Sequence, residues 1–270
     1  MNGLVTLASW NVNSLRVRLE HLGQWLVLEK PDVVGLQETK LTDDKFPVAE
    51  IQALGYHCVY AGQPTYNGVA ILARASTFHS INDWTAEEPR LPGEQKRFIA
   101  ATLKPLNSES ELRFINLYVP NGSEVGSEKY GYKLQWLEAV SARLEEEHAR
   151  HARCCVVGDF NIAPQDIDVH DPLAWKDKIL CSEPERQAFQ KLLDMGFCDS
   201  FRVKMGVDHV AFSWWDYRQG GFRRNQGLRI DHLLVSQALM QHCEDARVDR
   251  TPRGWEKPSD HAPALASFHL

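Results

Sequence analysis

Short apolar runs that each stop at a polar residue recur along the whole chain. Leu4 to Trp10 (LVTLASW) reads as a strand, and Asn11-Val12-Asn13-Ser14 follows it directly. Leu15, Leu19, Leu22 and Leu26 then fall at helical spacing, with Asn13 or Ser14 placed to cap the helix. Pro31-Asp32 ends it, and Val33 to Leu36 forms a second buried run that delivers Gln37 and Glu38 at its end. The middle of the chain reads as strands separated by turns: Tyr56 to Tyr60, Gly68 to Ala73, Phe98 to Leu103 and Glu111 to Tyr118. Between Tyr130 and His151, Leu134, Leu137, Val140 and Leu144 trace a helix with charge on its other face. Ser182-Glu183-Pro184-Glu185 has the form of a capping box and opens a shorter helix that stops at Gly196. A strand leading to Ser236 and another from Ala264 to Phe268 close the chain. Strands at this density imply layered sheets. With no repeat and no long linker, residues 1–270 are expected to form one domain.

The pattern is clearest at Cys154-Cys155-Val156-Val157-Gly158-Asp159-Phe160-Asn161-Ile162-Ala163-Pro164. Four apolar residues suit a buried strand, and Gly, Asp, Asn and Pro stop it, so Asp159 and Asn161 are carried to a strand's end. Residues two apart on an extended segment face the same side, which lets a carboxylate and an amide converge on one atom. A carboxylate there can take a proton from water or hold a metal, and an amide can donate to a phosphate oxygen. The same residue types also make an ordinary turn after a core strand.

Composition narrows the setting. At 43% apolar residues the chain can bury a substantial core, and no apolar run approaches the roughly 20 residues of a membrane span. Its start shows no basic segment followed by an apolar signal region, so a cytoplasmic protein is expected. The six cysteines form no CxxC pair, and Cys154 and Cys155 lie inside a core strand, which points to reduced packing residues and not to zinc.

A formal charge of −6 argues at first against nucleic acid, but its distribution does not. Arg218, Arg223, Arg224 and Arg229 fall in a glycine-rich stretch with no acid, and Arg247, Arg250, Arg253 and Lys257 form a second basic run. Such runs are often only solvated loops. Here Phe212-Ser213-Trp214-Trp215-Asp216-Tyr217 adjoins the first of them, and aromatics stack on bases or sugars where arginine meets phosphate. Near the end, Ser259-Asp260-His261 places an acid and an imidazole on opposite sides of an extended segment.

Asn11, Glu38, Tyr118 with Asn121, Asp159 with Asn161, Asp231 and Asp260-His261 thus all stand at the end of a strand-like segment. The pieces WNVNSLR, VGLQETK, YNGVAIL, NLYVPNG, VVGDFNIAP, FSWWDYR, GLRIDHLLVS and EKPSDHAP span residues 10 to 263, and in this order they resemble the exonuclease III family of abasic-site endonucleases and 3'-exonucleases. The resemblance implies a four-layered α/β sandwich of two facing mixed sheets flanked by helices. It also implies Mg2+ or Mn2+, held by Glu38 with Asn11 and Asp260. Asp159 and Asn161, with His261 beside them, would serve a second metal position or act without one. In-line attack by water on a DNA phosphate follows: Asp159 would position or deprotonate the water, Asn161 and Tyr118 would bind the phosphate or leaving group, and His261, oriented by Asp231, would stabilise charge. Double-stranded DNA with abasic sites or 3' ends is the implied partner of a monomeric enzyme. Arg97, Asn121, Lys129, Lys133, Arg223 and Arg224 would contact the DNA, with Trp214, Leu228 and Ile230 walling a pocket for a flipped sugar.

Two alternatives set limits. Another phosphoesterase of the same superfamily would keep GDFN and SDH yet lack the arginine loop beside GLRID. A catalytically silent nucleic-acid-binding regulator would have lost site residues, and none of those sought is missing.

Overall fold

The structure, a computed structural model, describes residues 3–87, 95–108 and 110–270. In chain order the strands are β1 (Leu4–Asn11), β2 (Val33–Gln37), β3 (Tyr56–Ala61), β4 (Val69–Arg74), β5 (Phe78–Thr85) and β6 (Phe98–Pro105). The later ones are β7 (Leu112–Tyr118), β8 (Cys154–Asp159), β9 (Phe197–Asp199), β10 (Asp231–Ser236), β11 (Cys243–Val248) and β12 (Ala264–His269). Helices α1 (Leu15–Glu29), α2 (Val48–Ala53), α3 (Glu128–Arg150), α4 (Pro172–Trp175), α5 (Glu183–Asp194), α6 (Ser200–Met205) and α7 (Gln237–Met240) connect them.

The strands form two six-stranded mixed sheets, ordered β11-β12-β1-β2-β4-β3 and β5-β6-β7-β8-β10-β9. Each contains one parallel pair, β1 with β2 and β7 with β8, joined by a long helix, α1 or α3. The inner faces meet through Leu7, Val33, Ile71, Phe114, Val157 and Leu233, an apolar core shared by both sheets. Trp25 and Leu26 of α1 cover the outer face of the first sheet, while Trp136 and Leu144 of α3 with Phe189 of α5 cover that of the second. The result is the expected sandwich of helix, sheet, sheet and helix.

Burying both faces of a sheet accounts for the continuous apolar runs that make β2 and β8 visible in the sequence. Between the two sheets, Gly35 has no room for a side chain: a Cβ there would lie 2.6 Å from Val157 Cγ2 and 2.9 Å from the Asn116 amide. Asn116 and Gln37 fill the adjoining space, each wholly buried, with Gln37 Nε2 donating to Asn116 Oδ1 at 2.6 Å and Asn116 Nδ2 donating to the carbonyls of Leu36 and Ala70. This pairs both amide nitrogens and the Asn116 oxygen inside an apolar layer, where unpaired polar groups cost stability, while Gln37 Oε1 is left without a partner.

All six cysteines are free. Among the described residues no helix is long and apolar enough to cross a membrane.

Candidate active site

In a parallel pair both strands end at the same edge, and an antiparallel neighbour starts there. Asn11 therefore closes β1 opposite Gln37 of β2, with Glu38 next, while Tyr118 closes β7 opposite Asp159, the last residue of β8. Asp231 opens β10 directly across from Asp159, and His261 precedes β12, which runs antiparallel to β1. The fold gathers at one edge the polar residues predicted from separate strand ends.

They are connected by hydrogen bonds. Asn11 Nδ2 donates to Glu38 Oε1 at 3.0 Å and to Asp159 Oδ2 at 2.9 Å, linking the sheets. The Tyr118 phenol donates to Glu38 Oε1 at 2.8 Å. Its pKa is raised well above the phenol range, first by burial and then by the charges of Glu38 and Asp159, so it is a permanent donor. The Asn161 backbone N–H donates to Asp159 Oδ1, its side-chain amide donates to Val119 O, and Asn121 Nδ2 donates to Asn161 Oδ1. Glu38 and Asn161 hold φ of 52° and 49°, the left-handed region that non-glycine residues seldom occupy outside sites that require it.

The electrostatics divide the acids into two groups. Asp159, Asp231 and His261 are buried, and among the described residues they are the group of three whose ligand atoms all lie within 4.8 Å of one another. His261 Nδ1 donates to Asp231 Oδ2 at 2.9 Å, and its Nε2 lies 3.6 Å from Asp159 Oδ2. Burial lowers the His261 pKa, but the facing charges of Asp231 and Asp159 outweigh it and push it up to about 10, which makes the ring an imidazolium. Burial is the largest influence on Asp159 and raises it to about 7, against the pull of His261. A cationic ring between two acids can serve as an acid–base device, and the same three side chains bring ligand atoms close enough together to hold a metal ion.

Glu38 differs. Burial raises its pKa, yet the Lys40 charge and hydrogen bonds from Lys40 and Asn11 leave it lowered, an ionised carboxylate. Lys40 Nζ sits 2.7 Å from Glu38 Oε2 and 2.7 Å from Asn13 Oδ1, and Asn13 Nδ2 donates to Asp260 Oδ1 at 2.9 Å. Glu38 and Asp260 are half-buried oxygen donors at the rim, the donor chemistry that a hard divalent cation takes, while buried Asn11 turns its amide nitrogen to Glu38 and its oxygen to Asn13 N–H. The residues fit such an ion, with Lys40 as the charge that now balances Glu38.

Several expected DNA contacts take different places. Lys129, Arg223 and Arg224 are exposed, and Arg97 lies against the Tyr118 ring, 4.6 Å from its centroid. Lys133 is the correction: it is 0% exposed, and its Nζ donates to the backbone carbonyls of Asn121 and Asn161 and to the Glu185 carboxylate. It cannot meet a DNA backbone. A signal for this was present, since Lys133 lies at helical spacing from Tyr130 and Leu137 on the apolar face of α3. Leu228 and Ile230 are also closed to solvent, 0% and 1% exposed, whereas the expected third wall residue, Trp214, is half-buried.

Members of both basic runs are likewise occupied. Arg229 is buried between Asp168 and Asp199, Arg247 pairs with Glu29, and Arg253 stacks on Tyr217 and Phe222. Asn13, expected at most as a helix cap, instead bridges Lys40 and Asp260. Ser14 stands at the N-cap without a side-chain bond.

Residues 8–261 match the Endonuclease/Exonuclease/phosphatase family. The chain belongs to it. Within that family it is of the exonuclease III type, being 37% identical to the exodeoxyribonuclease III of Haemophilus influenzae over 96% of this chain and 98% of that one. Among solved structures it is similar to a 3'-5' exonuclease from Neisseria meningitidis, with a TM-score of 0.91 and 46% identity over 98% of this chain and all of the other. An AP endonuclease from Archaeoglobus fulgidus gives a TM-score of 0.90 and 37% identity over the same shares.

Proposed function

We propose that this protein is a DNA repair nuclease that hydrolyses phosphodiesters at 3' ends and abasic sites of duplex DNA with Mg2+ or Mn2+, acting as one catalytic domain and as a monomer. The observation that carries this reading is the edge cluster: an acid raised towards neutrality, an imidazolium held by a second acid, a protonated phenol and an ionised rim carboxylate. Phosphodiester cleavage needs an activated water, neutralised phosphate charge and an assisted leaving group, and these groups supply each.

In this reading Asp159 orients the attacking water and accepts its proton, a role suited to a carboxyl near pH 7. The His261 imidazolium, fixed by Asp231, lies beside Asp159 and stabilises the negative charge that grows on the phosphoryl oxygens. Tyr118, turning its O–H from Glu38, and the second N–H of the Asn161 amide would donate to phosphate oxygens, and Asn121 keeps the Asn161 amide in register. Glu38, Asn11 and Asp260 would hold the cation. Once bound, it supplies Lewis acidity and charge for the leaving 3' oxygen.

Work at 3' ends leads this proposal. The relatives include a 3' phosphatase from Neisseria bound to a product DNA hairpin, 45% identical, against 37% for the AP endonuclease. The closed positions of Leu228 and Ile230 also favour an end over an extruded sugar. Purified protein should be given 5'-labelled duplexes carrying a recessed 3' end, a 3'-phosphate or an abasic analogue, with and without EDTA. Cleavage of none of the three in Mg2+ or Mn2+ would reject the reading.

A further inference from the structure

A short extended segment, residues 213–215, lies between the buried Leu228 and the Asp260-His261 turn of the site. Trp214 exchanges both backbone hydrogen bonds with Leu228, at 2.9 and 3.0 Å. On the other side, Ala262 N–H donates to Ser213 O at 2.7 Å and Trp215 N–H donates to Asp260 O at 3.0 Å. The segment is thus a rung pinned to the wall strand and to the Asp260-His261 turn at once.

Successive side chains of an extended segment point to opposite sides. Ser213, wholly buried, turns its hydroxyl to the N–H groups of Ile230 and Asp231, accepting from both at 3.0 Å. That fixes the start of β10, where Asp231 holds His261. Trp214 turns the other way, and its indole Nε1 donates to Asp260 Oδ2 at 3.0 Å, while Asn13 Nδ2 donates to Oδ1. One dipeptide therefore holds the backbone at Asp231 and the carboxylate of Asp260. The Trp214 ring is also part of a 360 Å³ surface pocket with His170, Trp175 and Arg218.

We infer that Trp214 is a positioning residue for Asp260, setting the site's affinity for its divalent cation and coupling that affinity to whatever rests against the indole ring. This rests on the reading above that Asp260 helps hold the ion. A carboxylate clamped at both oxygens cannot rotate away from its task. Outer partners of metal ligands are worth about 10- to 100-fold in metal affinity when removed. Coupling between ring and ion is reciprocal, so DNA that meets the indole must alter ion binding to the same degree that the ion alters DNA binding.

The test is Trp214→Phe, which keeps an aromatic wall and removes only the donor. Mn2+ is titrated calorimetrically into metal-free parent and variant without DNA, and affinity for a duplex with a recessed 3' end is measured in EDTA. The variant should bind Mn2+ about tenfold more weakly, with DNA affinity within about twofold of the parent, since the ring that meets DNA is still there. In the parent, the Trp214 indole N–H resonance should move as Mg2+ is titrated, a readout that does not depend on the variant folding. Parent-like Mn2+ affinity in the variant, or an indole resonance blind to Mg2+, would overturn the inference. A parent that binds neither ion would instead reject the metal reading on which it rests.

Discussion

The catalytic edge and the glycine-rich loop around Arg223 and Arg224 are both rich in charge, yet they are built on opposite principles. At the edge nearly every polar atom is bound to another side chain or to backbone, and the acids are buried or half-buried. In the loop Arg223 and Arg224 are exposed, and Arg218 pairs with its neighbour Asp216. Burial makes charges interact strongly, whereas exposed charges are screened. The edge can therefore shift proton equilibria by large amounts, while the loop can contribute only salt-screened contacts to the phosphates of a polyanion. Changes at the edge should alter the rate; changes in the loop should alter affinity and its salt dependence.

The largest effect should come from the rim. Glu38→Gln, or EDTA added to the parent, should abolish cleavage in a labelled-duplex assay, with Mg2+ or Mn2+ restoring the chelated parent. Undiminished cleavage by the chelated enzyme would contradict a metal role. Asp159→Asn and His261→Asn come next, each lowering the rate by roughly a hundredfold or more with DNA binding largely kept.

His261 also makes a stability prediction. Its folded pKa is raised from 6.5 to about 10, so its contribution is complete below about pH 6.5 and is lost as pH rises towards 10. Urea denaturation of the parent at pH 6.5 and pH 10 should show that loss, and His261→Asn should show less of it.

Lys133 and Lys129 sharpen the contrast within one helix. Lys133→Ala leaves Glu185 buried without its partner and should cost about 3–5 kcal/mol of stability, measured by urea denaturation. Lys129→Ala, at an exposed position, should leave stability within about 0.5 kcal/mol. The smallest effect belongs to the loop. Arg223→Ala with Arg224→Ala should make the slope of log affinity against log salt shallower by roughly 1.8, equally for duplexes of different sequence and with stability hardly changed. An unchanged slope would leave these arginines as solvated surface.

The sequence made the central strands and their terminal residues legible because buried runs are visible without knowing what covers them. β1, β2, β7, β8 and β12 were readable this way, as were Glu38, Tyr118, Asp159 and Asp231 at or beside strand ends. Three of the four edge strands, β5, β9 and β11, were not. An edge strand carries mixed or charged residues, as in CEDARV of β11, and so lacks the apolar signature. Cross-chain partners were also hidden. Nothing in the sequence says that Lys40 will meet Glu38, that Asn13 will reach Asp260, or that Arg229 will close on Asp168 and Asp199, since each depends on distant segments folding together. Ser213 was passed over because its hydroxyl acts on backbone, leaving no pattern of spaced acids or amides to notice.

The buried pair Gln37 and Asn116 has a mechanical meaning. Apolar side chains interlock by shape but make no directional bonds, so they fix the register of two sheets less sharply than hydrogen bonds do. The two amides act as a dowel: Asn116 rides on one sheet, bonds to Leu36 and Ala70 of the other, and resists shear between them. Glu38 and Asn11 travel with the first sheet, Tyr118 and Asp159 with the second, so shear of about an ångström would break the bonds that join them. The alignment of the reacting groups is thus maintained from deep within the protein, by two residues that no substrate ever touches.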